Sequence, residues 1–138
     1  MKIMNRSLLT GLFALTLYLN ATIAQKSFNN CSAAFLDNKM IVDDYSDRGQ
    51  CKIAANAKGM LSVCTANLSP TESIPVDKIS FMVAIRDHNT KTLVMYSAKS
   101  FKQLNIQKVL SQCKVGDGIV LLTQDKQYAL PHNEILVQ

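Results

Sequence analysis

The sequence predicts a mainly β fold, a small antiparallel β-sandwich-like domain with one short helix at about residues 105–114. Three stretches carry that expectation. Residues 79–86, ISFMVAIR, alternate so that Ile79, Phe81, Val83 and Ile85 share one face, the period of a half-buried strand. Residues 118–123, GIVLLT, form a continuous apolar run of the kind expected of a strand covered on both faces. Between them Ile106, Val109, Leu110 and Cys113 recur at helical offsets and form a single apolar stripe.

In chain order, residues 33–42 (AAFLDNKMIV) give two apolar clusters about an Asp37-Asn38 turn, with a strand expected at 39–42. The polar connection DDYSDRGQ at 43–50 leads to a second strand at 51–55, and a third follows at 60–65. Residues 67–75, NLSPTESIP, contain two prolines and several turn formers, and read as a loop dividing the domain into halves. Asp87-His88-Asn89-Thr90 turns the chain between the strand at 79–86 and β-type residues at 92–96, which makes an antiparallel hairpin. Asn105 suits the helix N-cap, with Ser100 and Gln103 as a competing capping box one turn earlier. Lys114 complements the negative end of the helix, and Gly116 ends it. After the turn at 124–126, residues 128–130 and 134–137 read as strands interrupted at Pro131, which marks an edge or a bulge.

The start of the chain has the layout of a secretory signal. Lys2 and Arg6 precede the mostly apolar stretch 8–19, and Ala21-Thr22-Ile23-Ala24 supplies small residues for cleavage. That stretch is shorter than the roughly 20 residues an apolar helix needs to cross a bilayer. The expectation is therefore a signal peptide at 1–24 and a single exported domain at 25–138, periplasmic or extracellular, with no membrane span after cleavage and a loose lead-in at 25–30. Losing Lys2 and Arg6 takes the net charge from +5 to +3. The lysines are scattered and not interleaved with aromatics, so nucleic-acid binding is not expected.

All four cysteines, Cys31, Cys51, Cys64 and Cys113, fall in the exported part. An even count in a small exported chain argues for disulfides, with three pairings possible. Cys51 with Cys64 is the favoured pair because both end short strand-like segments, which leaves Cys31 with Cys113. A bridge closing a loop the length of Cys51–Cys64 would contribute about 3 kcal/mol in the chain-entropy model. The chain has no closely spaced Cys or His pair of the kind a zinc site uses, and no metal or cofactor is expected.

Catalytic chemistry is equally sparse. His88 sits in the hairpin turn and His132 after Pro131, and both read as exposed turn residues. The acidic group Asp43, Asp44 and Asp47 lacks the spacing of an EF-hand loop and reads as a solvated turn. Gly116-Asp117-Gly118 reads as a helix stop and not as a phosphate cradle. Met82 and Met95 would make an apolar patch suited to a partner if they shared the outer sheet face with Tyr96. The leading expectation is a non-enzymatic exported module that binds an envelope protein through a sheet edge or face. The alternative is a small secreted hydrolase or ligand binder in which His132, Asp125 and Asp117 converge on a pocket.

The order of elements adds a resemblance. A strand of the type FMVAI, a hairpin, a short helix from Leu104-Asn105, the stop Lys114-Val115-Gly116-Asp117, a buried strand, and a closing strand after Leu130-Pro131 resemble the C-terminal periplasmic domain of the gliding-motility protein GldM. Lys39-Met40-Ile41-Val42 with Gly49 is similar to that family's lead strand and glycine turn. The resemblance covers residues 39–137 and is strongest beyond 79. It implies a β-sandwich-like envelope module acting by protein contact, within the motor and secretion machinery of the type nine system in Bacteroidetes. Full-length members carry a membrane helix and several periplasmic domains, so the implied relative is a stand-alone one.

Overall fold

A computed structural model describes residues 31–68, 73–125 and 127–138. The expected signal at 1–24 and lead-in at 25–30 lie outside the described residues. Within them the order is β1 (Ser32–Leu36), β2 (Lys39–Met40), β3 (Cys51–Ile53), β4 (Met60–Leu68), β5 (Ser73–Ile79), β6 (Phe81–Arg86), β7 (Leu93–Met95), β8 (Leu104–Asn105), α1 (Ile106–Leu110), β9 (Gly118–Thr123) and β10 (Glu134–Val137). These form two antiparallel-rich sheets, and the fold is the mainly β, sandwich-like one expected.

The first sheet is built on β4, which pairs with β1 along one edge and with β5 and β8 along the other. Asp37 and Asn38 take φ of 48° and 66°. Two successive left-handed residues are what a two-residue hairpin of the I′ type requires, and short polar side chains tolerate them. They set β1 against β2 with Phe35 opposite Met40. Although β2 and β5 end the pairing order, they lie in contact, so this sheet curls on itself.

Residues 67–75 do not divide the domain. β4 runs to Leu68 and β5 begins at Ser73, so both flanks of this segment belong to one hairpin of the first sheet. Pro75 is accommodated because β5 is an edge strand, where a missing N–H breaks no second ladder.

The chain then changes layer at a single residue. Ile79 pairs with Val63 in the first sheet, Phe81 pairs with Thr123 in the second, and Ser80 is the corner between them. The expected strand at 79–86 is thus two strands, yet its alternation holds through the corner. Ile79, Phe81 and Val83 are all buried, because both sheets turn the same face of this segment toward the core.

The second sheet has the order β3-β10-β9-β6-β7, antiparallel except where β10 runs parallel to β3. β10 is interior and pairs without a register shift, contrary to the edge or bulge expected at Pro131. The proline lies outside the strand, so it removes no ladder bond and allows Ile135 and Val137 to be buried. Of residues 128–130 only Ala129 pairs, in an isolated bridge with Cys31.

The helix is shorter than expected. Asn105 caps it by accepting from the Gln107 N–H, but α1 closes at Leu110 because Gln112 and Cys113 donate to carbonyls three residues back. Ile106, Val109 and Leu110 join Leu61, Val63 and Ile79 of the first sheet and Phe81, Val83, Ile119 and Ile135 of the second in one core. The helix therefore fills space that two sheets alone would leave open.

Phe81 is fully buried at the corner and stacks obliquely on Phe101 at 6.4 Å between centroids. Phe81→Ala is expected to destabilise the domain by about 3–5 kcal/mol, the usual range for truncating a core aromatic. Val94→Ala, on a residue 61% exposed, is expected to stay within about 0.5 kcal/mol. Paired urea-unfolding curves check both, and equal midpoints would contradict this assignment of the core.

Candidate functional site

Register decides what reaches the outer face of the second sheet. Arg86 on β6 and Leu136 on β10 both lie opposite Gly118, and Lys52 on β3 lies opposite Leu136. These residues share the face turned away from the core. Gly118 has no side chain, and a Cβ there would lie 2.5 Å from Glu134 Oε1. The gap lets Arg86 Nε donate to Glu134 Oε1 at 2.8 Å. This pair is solvent-exposed, so it contributes no more than about 1 kcal/mol.

A groove of about 500 Å³ crosses this face. Its floor includes Gly118 and Leu136. Its walls come from the start of β3, the hairpin turn with His88 and Lys91, and the segment carrying His132 and Asn133.

His88 is not a free turn residue. Its Nδ1 lies 2.8 Å from Asp117 Oδ1, and its backbone N–H donates to the same oxygen at 3.1 Å. A carboxylate only accepts, so Nδ1 carries the proton of this bond and Nε2 is the ring's remaining nitrogen. Lys114 N–H donates to Asp117 Oδ2 at 2.8 Å. Asp117 is buried, with its side chain 6% exposed against 33% for His88. The Lys114 amide first, and then the His88 side chain, hold the Asp117 carboxyl below the ordinary carboxylate range. Gly116 at φ +98° brings the backbone against the His88 ring, where a Cβ would meet Cβ and Cγ at 3.3 Å. The helix stop expected at residues 116–118 lies beyond the helix, which closes at Leu110; Gly116 instead makes a turn that positions a histidine.

The three residues of the expected hydrolase site are not brought together. Asp117 belongs to His88. Asp125 accepts from Gln127 N–H and lines a separate cavity with Asp77, Lys78 and Lys102. His132 packs edge-on to Tyr45 at 5.5 Å between centroids. Tyr45, hidden in the polar segment 43–50, donates to the Ser32 carbonyl at 2.8 Å, and burial pushes its hydroxyl pKa up. The acidic residues of that segment close their own loop: Asp43 accepts from Gln50 N–H and Asp44 from the Ser46 hydroxyl. Among the described residues no group of three His, Cys, Asp or Glu is set to hold a metal.

The expected disulfides, Cys51 with Cys64 and Cys31 with Cys113, are not formed in the structure; all four thiols are free, with no pair at disulfide distance. Cys51 faces the inter-sheet core, whereas Cys64 turns to the opposite face of the first sheet with Ala33 and Phe35, so a sheet separates the two. Cys113 sits in the turn after α1, donating to the Val109 carbonyl at 3.4 Å, while Cys31 is bridged to Ala129 beside Tyr45. Burial pushes both the Cys51 and the Cys113 thiols up to about 11.

Met82 and Met95 share the outer face of the second sheet, since Met95 lies opposite Ala84, two residues from Met82. Tyr96 instead packs on the core side with Phe101.

Two outcomes follow from these environments. The folded-state pKa of Asp117 is depressed, so its contribution to stability is complete above the unfolded value near 3.8 and is lost as pH falls through the lower folded value. Asp117→Asn is expected to cost about 1.5–3 kcal/mol at neutral pH, the range for hydrogen bonds to a charged group. It should also flatten the loss of stability on acidification, as followed by urea midpoints from neutral to acid pH. With thiolate content suppressed, Cys51 and Cys113 are expected to alkylate slowly in the folded protein near pH 8 and rapidly once unfolded. Peptide mass mapping of iodoacetamide adducts over time reads this directly.

No family model, curated protein or solved structure matches this chain.

Proposed function

We propose that the domain is a non-enzymatic, exported protein-interaction module that receives an extended strand of an envelope partner along β7. One observation carries the reading. β7 ends the second sheet, and its three residues Leu93, Val94 and Met95 are all apolar and exposed, at 43%, 61% and 43%. Thr92 O and Tyr96 N point inward to β6. By antiparallel alternation the backbone groups of Leu93 and Met95 point outward, without a strand to meet them.

An uncharged edge strand that is apolar on both faces is a liability unless something covers it. Strand addition meets both needs, because backbone bonds satisfy the edge while alternate side chains contact Leu93 and Met95. Met82 and Leu136 extend the apolar surface along the same outer face. The expected signal and the resemblance to the GldM periplasmic domain support an envelope setting and action by contact.

Photo-crosslinking in the native envelope tests the proposal. A photoreactive residue at Leu93 is expected to give one discrete adduct, and the same residue at Lys108 none. Met95→Pro removes an outward N–H without touching the β6 ladder, and should abolish the adduct while thermal melting stays close to that of the parent. An adduct unchanged by Met95→Pro, or one with the mass of two copies of this chain, would refute a heterologous strand at this edge.

A further inference from the structure

We infer that the groove over Gly118 is a binding site for the oxyanion group of a small molecule, a carboxylate or a phosphate. This is independent of the β7 edge, which lies beyond β6 on the same sheet. Part of the charge in the groove is already engaged by the fold. The Glu134 carboxylate is held by Arg86, and Asp87 Oδ1 accepts from the Asn89 and Thr90 amides. Asp87 keeps its negative charge, so the groove sets three basic side chains, Lys52, Arg86 and Lys91, against two carboxylates.

The two lysines are not paired: Lys52 and Lys91 make no ion pair among the described residues. Arg86 commits only Nε to Glu134, which leaves the terminal nitrogens of its guanidinium. A guanidinium with two adjacent free donors matches the paired oxygens of a carboxylate or phosphate. His88 lines the same groove with its ring orientation fixed by Asp117 from behind, so its signals report on what binds there.

Geometry adds to charge. The groove volume of about 500 Å³ falls within the roughly 300–1,000 Å³ of ordinary small-molecule sites. The space over Gly118 is taken by the Glu134 side chain, which presents Arg86 to the groove, and Leu136 offers apolar contact for the body of a ligand. Lys91 is held at φ 61°, a left-handed conformation uncommon for a side chain of its kind, by the turn in which its N–H donates to the Asp87 carbonyl.

The test is a titration of the purified protein with inorganic phosphate and, separately, succinate, at fixed ionic strength and neutral pH, read by the imidazole NMR signals of His88 and His132. The expected result is a saturating shift of His88 with at least one probe, and which probe saturates names the oxyanion. The double variant Lys52→Gln, Lys91→Gln should raise the dissociation constant about tenfold or more. Lys99→Gln, outside the groove, should leave it unchanged. A circular dichroism spectrum matching that of the parent shows that the double variant is folded. A His88 response that does not saturate with either probe, or that is the same in the double variant, overturns the inference.

Discussion

The fold turns on Asp117. Its carboxylate gathers the Lys114 amide from the turns after α1 and both the backbone and the ring of His88 from the β6–β7 turn. Its own carbonyl accepts from Val137 N–H at 2.9 Å, and the neighbouring Gly116 N–H donates to the Val137 carbonyl at 2.8 Å. One buried side chain and its peptide thus join the end of the helical segment, the hairpin and the last strand. Buried carboxylates are costly when unpaired, and this one is satisfied on both oxygens. Among the described residues no buried side-chain nitrogen or oxygen is left without a partner.

Much of the scaffold was legible in the residues. Alternation at 79–86, the turn formers at 87–90 and the apolar run at 118–123 reported local geometry faithfully, because each is written in consecutive residues. The Asp37-Asn38 turn was equally plain, since its chemistry is that of the turn itself. What consecutive residues do not encode is which layer a strand joins. Nothing in 79–86 announces a corner at Ser80, and Pro75 resembles part of a loop as much as part of an edge strand.

The site was less legible for the same reason. His88 and Asp117 are twenty-nine positions apart, and no motif links them; the glycines at 116 and 118 were the only nearby signal, and they announce a stop before they announce a histidine. His132 was visible as a possible site residue, but its partner is Tyr45, half-buried in a segment whose composition is that of a solvated turn. Cysteine parity favoured bridges because an even count says nothing about faces. Cys51 and Cys64 sit on strands that place them on opposite sides of a sheet, which only the register reveals.

The corner at Ser80 has a mechanical consequence. Because one unbroken run of backbone serves as the edge of the first layer and an inner member of the second, tension on β5 is delivered covalently to β6. From there it reaches β9 through a ladder of six paired residues, loaded along its length. Ladders pulled in that direction yield by breaking many bonds together, so a module anchored through one layer and gripped through the other would resist extension as a single body.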